Sequence, residues 1–251
     1  MRNVPIDALD HLPVDVLPVG TGYPPDHLLA RHEHRRAQLL YGASGVMQVV
    51  TDEGSWTVPA DRAVLIPPRT GHEVLMQDVT TWSLYIEPDA VPWWPGACTV
   101  VEVGSLLREL LREANSFEAD YDPAGRDGAV IRLILHELQY VAPAPFSISL
   151  PREEPFRSLC RAYLAAPDAG VTNTAWAQRV PMSTRSFERR FHELTGLSPA
   201  TWRSRARLLA SLRYLPGASV TEVAARLGYA SPAGFSAAFS RAFGGPPSRF
   251  S

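Results

Sequence analysis

Between residues 37 and 87 the chain alternates short apolar runs with turn residues. AQLLYGASGVMQVVTDEGSWTVPADRAVLIPP is rich in Val, Leu and aromatics and breaks at Ser44-Gly45, at Asp52-Glu53-Gly54 and at Pro59-Ala60-Asp61. Strands this short and evenly spaced predict a small β-barrel or sandwich. The period then lengthens. SLLRELLREA (105–114) and GAVIRLILHELQYV (128–141) are apolar at helical spacing on either side of the turn DPAG. Two such helices either cover their own β-domain or form a dimer interface, and both readings stand at this point.

The segment APAPFSISLP (142–151) is rich in Pro and Ser and has no helical period, which places a linker there. The rest of the chain carries helix punctuation. Pro155 to Ala166 forms one helix. Thr172 or Asn173 caps a short helix to Val180, and Ser183 caps TRSFERRFHELT, which Gly196 stops. Ser198-Pro199 opens a long helix to Leu215. Ser219 and Glu222 have capping-box spacing for a helix that Gly228 ends, and Ser231-Pro232 starts the last helix, closed by Gly244. The predicted division is 1–141, a linker at 142–151, and 152–251.

Charge separates the same halves. Residues 1–151 hold 10 Arg against 20 acids, net −10, whereas residues 152–251 hold 14 Arg against 6, net +8. A basic domain fused to an acidic one predicts that only the second meets a polyanion. Cys98 and Cys160 are the only cysteines, too few for a disulfide framework or a cysteine zinc site. No apolar run approaches the ~18 residues of a membrane span, and MRNVPIDALDHL lacks the continuous apolar segment of a signal peptide. A cytoplasmic protein without membrane association is expected.

Two helix pairs in the basic half share one design. TAWAQRV–PMS–TRSFERRFHEL and TEVAARLGYAS–PAGFSAAFSRAF each read as short helix, tight turn and second helix, 48 residues apart from Ser183 to Ser231. Over residues 152–251, FERRFHELTGLSPATWRSRARLLASLRYL and VTEVAARLGYASPAGFSAAFSRAFGGPPSRF resemble the AraC/XylS family DNA-binding domain. The resemblance implies two helix-turn-helix units joined by one helix, their second helices entering successive major grooves of double-stranded DNA ~34 Å apart. Arg185 and Arg189, four residues apart, share a face with Ser183, Thr184 and Glu188 nearby. Arg grips guanine bidentately and Glu accepts from a cytosine amino group. In the last helix the outward positions are Pro232, Ala233, Ser236 and Ala237, which with the cap Ser231 suit shape and phosphate contact more than base reading. Arg203, Arg205, Arg207 and Arg213 either touch phosphates or line a solvated helix face; Arg203 is the one taken as a DNA contact.

In the acidic half, His32-x-His34-x3-Gln38-x6-Gly45 has the spacing of the first cupin motif, with Gln in place of Glu. PPRTGH, ending at His72, is similar to the second, with Asp61, Arg69 and Met76 where Gly, Gly and Asn are usual. The run resembles the cupin sensor domain of AraC-family regulators, particularly a short subgroup that controls neighbouring exporter genes. In a strand His32 and His34 would share a face, and the second motif would bring His72 beside them. Three imidazoles suit a divalent transition metal, with Gln38 a weak fourth ligand; no cofactor is certain. Alternatively these side chains line an effector pocket, with Trp56, Trp82 and Tyr85 as aromatic walls.

The expected fold is α+β in two domains: a cupin-like β-barrel followed by two helices, then an all-α tandem helix-turn-helix domain. The expected function is a DNA-binding regulator, not an enzyme, that senses a small molecule or metal and controls an adjacent transporter gene. Its expected partners are DNA, an effector and a second copy of the chain, with RNA polymerase a further candidate. The rival is a metal-dependent cupin enzyme with an appended DNA-binding domain.

Overall fold

The computed structural model describes residues 6–250. Its contacts divide the chain into two units, 1–49 with 58–144, and 50–57 with 145–251.

The strands form two five-stranded sheets. One has the order β1 (Val16–Tyr23), β8 (Val79–Ile86), β3 (Ala37–Gly42), β6 (Arg62–Ile66), β9 (Thr99–Glu102), every neighbour antiparallel. The other has the order β10 (Ser147–Ser149), β5 (Gly54–Pro59), β4 (Val46–Val50), β7 (His72–Gln77), β2 (His27–His32). The described residues thus make two sheets rather than the closed barrel expected from strand spacing.

Strand alternation sorts the first sheet into two faces. Leu39 and Tyr41 of β3 and Trp82, Leu84 and Ile86 of β8 face one apolar cluster. Helices α1 (Ser105–Ala114) and α2 (Arg126–Leu138) complete it with Leu107, Leu111, Ile131, Ile134 and Leu138. Their apolar stripes therefore cover their own sheet. Beyond those stripes Leu106, Leu133 and Tyr140 stay exposed. The alternate residues, Gln38 and Leu40 with Thr81, Ser83 and Tyr85, face a pocket.

The turn after β3 needs Gly45: its φ is +70°, and a Cβ there would lie 2.2 Å from the Asp78 carbonyl oxygen. At the two positions where the cupin pattern favours glycine, Asp61 and Arg69 adopt φ of +61° and +56°. The backbone of the motif is thus kept with side chains that pay for it in strain, of order 1 kcal/mol each. Asp61 is held by the Tyr41 hydroxyl at 3.0 Å and Arg108 at 3.2 Å.

The second unit has α3 (Phe156–Ala165), α4 (Asn173–Arg179), α5 (Thr184–Thr195), α6 (Pro199–Ser211), α7 (Val220–Arg226) and α8 (Pro232–Phe243). The caps fall where the sequence puts them. Thr172, Ser183, Ser198 and Ser231 each accept a backbone N–H three residues on, Ser219 and Glu222 close a capping box, and Gly196 and Gly244 are left-handed at helix ends. The connecting helix stops at Ser211, and Leu215–Gly217 is a separate 3-10 turn. Phe156, Trp176, Phe187, Phe191 and Trp202 form one aromatic core; Phe235, Phe239 and Phe243 serve the second helix pair.

The segment expected as a linker is built into this unit. Phe146 stacks on Phe243 with ring centres 5.0 Å apart. Trp202 Nε1 donates to the Ser149 carbonyl at 2.9 Å, and Arg205 donates to the Ser147 and Pro145 carbonyls at 2.8 and 3.0 Å. A proline-rich stretch without helical period becomes ordered because its carbonyls find these donors.

Candidate functional site

Helix α5 projects Arg185 and Arg189 outward from one face, both exposed and one turn apart. Thr184 lies beside them at the first turn, half-buried, and Ser183 is occupied as the cap, accepting Ser186 N–H at 3.2 Å. Glu188 is engaged inside the domain: Asn173 Nδ2 donates to its Oε1 at 2.5 Å. Asn173 Oδ1 in turn accepts from Arg203 Nη2 at 2.7 Å.

That last contact corrects an expectation. Arg203 is only 6% exposed, and its guanidinium lies over the Trp176 ring at 4.8 Å. Burial pushes its proton affinity below the ordinary arginine value. It is an internal strut between α6 and the first helix pair, not a group presented to a phosphate. Arg207 likewise turns inward, donating to the Tyr163 hydroxyl at 3.1 Å. On α8, Pro232, Ala233 and Ala237 are exposed and Ser236 is half-buried, while Ser231 caps the helix through Gly234 N–H at 3.1 Å. The exposed base-reading groups expected on α8 are therefore few, although Arg241 near its end is an exposed cation that the sequence reading passed over.

The histidines lie in the first unit, against a pocket of about 780 Å³. His32 ends β2 and pairs across the ladder with His72 at the start of β7, after a register shift between Leu29 and His32. His34 lies beyond the strand. The three rings converge all the same, with centres 4.4 Å (His32–His72), 5.2 Å (His34–His72) and 6.3 Å (His32–His34) apart. Convergence here comes from a bulged edge and a loop, not from one strand face as the spacing suggested.

Each ring is fixed by a backbone carbonyl accepting from Nδ1: Ala30 at 2.8 Å for His32, Arg36 at 2.6 Å for His34, Thr70 at 2.7 Å for His72. His34 Nε2 lies 3.1 Å from Gln38 Oε1. A neutral ring whose Nδ1 already donates keeps a lone pair at Nε2, so a hydrogen bond forms here only with the Gln38 amide turned to present its NH2 in place of Oε1. Burial pushes the His34 pKa down and holds His72 at about 4. Behind His34, Arg36 is fully buried and clamped by Asp10 at 2.9 Å, Glu87 at 2.8 Å and the Val14 carbonyl at 2.9 Å. This clamp fixes the carbonyl that sets the His34 tautomer, a role the His-rich motif gave no hint of.

Among the described residues no group of three or more His, Cys, Asp or Glu side chains is set to hold a metal ion. His34 Nε2 faces Gln38 Oε1, while the Nε2 atoms of His32 and His72 have no hydrogen-bond partner among the described residues. The aromatic walls are also revised. Trp82 faces the α1–α2 cluster and packs on Tyr41, and Trp56 is buried on β5 opposite Ser147. Tyr85 does line the pocket and meets His34 edge-on at 5.1 Å. Tyr23, Thr81, Ser83, Leu40 and Met76 join it. Leu40 is legible from the parity of Gln38, and Ser83 and Thr81 from that of Tyr85.

Two family models match the chain, one in each half. An AraC-like ligand binding domain matches residues 18–134, and a helix-turn-helix domain matches residues 176–251. The HTH-type transcriptional regulator NimR of Escherichia coli (strain K12) is 27% identical over 221 residues, spanning 87% of this chain and 81% of NimR. Among solved structures, an apo form of a ToxT variant from Vibrio cholerae strain SCE256 aligns over 95% of this chain and 97% of its own, at 12% identity and a TM-score of 0.40. The DNA-binding domain of AdpA, in complex with a target DNA, aligns over 39% of this chain and 90% of its own, at 33% identity and a TM-score of 0.36.

Proposed function

This chain belongs to the AraC family of DNA-binding transcriptional regulators, and from that membership we propose that it switches a promoter in response to a small molecule held in its first unit. The carrying observation is the pocket of about 780 Å³, lined by apolar residues such as Val19, Leu40 and Met76 together with His32, His72, Gln38 and Tyr85. That size and mixed lining suit a small-molecule site. In this reading Arg185 and Arg189 read bases through α5, while α8 fits shape and phosphate.

The controlled gene is proposed to be a neighbouring transporter gene, and RNA polymerase the further partner at the promoter. A second copy of the chain is proposed to pair across the exposed Leu106, Leu133 and Tyr140. The regulator reading is favoured over a cupin enzyme because the matching family and the relative are both regulators.

The test is DNA binding by the full chain to the region upstream of its own gene, measured against salt and against an unrelated duplex. A steep fall with salt and a preference for the upstream region are expected. Equal affinity for both duplexes overturns the promoter reading.

A further inference from the structure

Two imidazoles line the pocket with the same ring nitrogen engaged. His32 and His72 each donate Nδ1–H to a carbonyl, Ala30 at 2.8 Å and Thr70 at 2.7 Å. A carbonyl only accepts, so the ring proton is committed there and Nε2 keeps its lone pair. Neither Nε2 has a hydrogen-bond partner among the described residues, although His72 is almost wholly buried. Both residues line the open pocket, and an occupant that displaces its solvent must donate to these nitrogens to avoid leaving them unpaired.

The rest of the lining narrows the occupant. Among the described residues no Asp or Glu lines the pocket, although the first 151 residues carry net charge −10, so a cation meets no counter-charge from them there. Among the described residues the permanently charged group on the wall is Arg31, which lies over Gly71, and a carboxylate head would also face two lone pairs. Val19, Leu29, Leu40, Val74 and Met76 supply an apolar wall. We propose that the effector is a neutral, compact apolar molecule bearing an O–H or N–H donor, of which a simple phenol is the type. This rests on the sensor reading above and names the chemistry of its ligand.

The experiment is calorimetric titration of the full chain at neutral pH with 4-propylphenol, 4-propylanisole, 4-propylbenzoate and zinc chloride. The anisole keeps the apolar body and removes the donor. A site built around a donor rejects the analogue without one, so the phenol should bind at least ~10-fold tighter than its methyl ether. His32→Phe, at a half-exposed position, should shrink that ratio to about 2-fold while leaving the anisole unchanged. Tighter binding of the anisole or the benzoate overturns the proposal. So does one-to-one uptake of zinc, or failure of all four probes to bind at millimolar concentration. Upstream-DNA affinity is measured with and without saturating 4-propylphenol. If the donor preference holds but DNA affinity does not move, the sensor reading fails and the ligand chemistry stands.

Discussion

Arg203→Ala separates two roles that look alike in the sequence. A surface arginine on the connecting helix would neutralise a phosphate, and its loss would lower the salt slope of DNA binding by ~0.9. The structure predicts the opposite pattern. Arg203 gives Asn173 a charged hydrogen bond at 2.7 Å, a contact worth ~1.5–3 kcal/mol. Its position 4.8 Å over Trp176 adds ~1–2 kcal/mol. Against this, the buried Nη1 has no hydrogen-bond partner, and truncation returns part of the guanidinium's desolvation cost. The net loss is about 2 kcal/mol, a fall of roughly 10 °C in Tm for a domain of this size. Thermal unfolding of the variant, with DNA affinity measured from about 50 to 200 mM salt, reads both quantities. The expected result is a lowered Tm with an unchanged slope. A retained Tm with the slope reduced by ~0.9 would return Arg203 to the DNA surface and refute the inward reading.

Other outcomes follow from the same geometry. Arg185→Ala and Arg189→Ala should each cost about 1–3 kcal/mol at the cognate site and relax specificity there, whereas Ser236→Ala costs far less; the reverse order in a binding titration makes α8 the reading helix. A fragment of residues 145–251 should melt well above one of residues 152–251, because only the longer keeps Phe146 on Phe243 and the carbonyls that serve Trp202 and Arg205. Equal melting temperatures would show those contacts to be idle. Burial holds His72 at about 4 against an ordinary 6.5, so the unfolded chain takes up its proton first as pH falls. Stability of the first unit should be complete above about pH 6.5 and decline by about 3 kcal/mol toward pH 4, with His72→Gln flattening that window in denaturant titrations. A wild-type curve level from pH 7 to 4 counts against a buried neutral His72. The full chain should sediment as a dimer at micromolar concentration, and Leu133→Glu should shift it to monomer; a monomeric parent removes the proposed α1–α2 pairing.

The helical half was legible almost residue by residue, because its punctuation is local. A cap needs one serine and the amide three residues on, and Ser183, Ser198, Ser219 and Ser231 all serve that way. Arg203 was not legible. Four arginines on an amphipathic helix read as a solvated or phosphate-binding face, and only the position of Asn173 and Trp176 turns this one inward. In the β half the converging histidines were legible as a motif but not as geometry, since the register shift before His32 leaves no mark in composition. Trp82 was misplaced for a reason the sequence did contain. It lies three residues from Tyr85 on one strand, so the two cannot share a face. Trp56 needed β10, a strand that a proline-rich segment concealed.

Strand β2 is the last in its sheet, pairs only with β7 through a bulged ladder, and supplies His27, Leu29, Ala30, Arg31 and His32 to the pocket wall. One wall of the cavity therefore hangs from a single row of hydrogen bonds, while the first sheet behind it is braced by two helices. Local opening is cheapest where the fewest buried contacts break. The expected consequence is kinetic: if a ligand occupies this pocket, detachment of β2 should time its entry and exit, and the same strand should report occupancy. Its amides should exchange with solvent faster than those of β3 or β8 in the empty protein and slow markedly once a ligand bridges His32 to His72. An occupied pocket that leaves β2 exchange unchanged would place the door elsewhere.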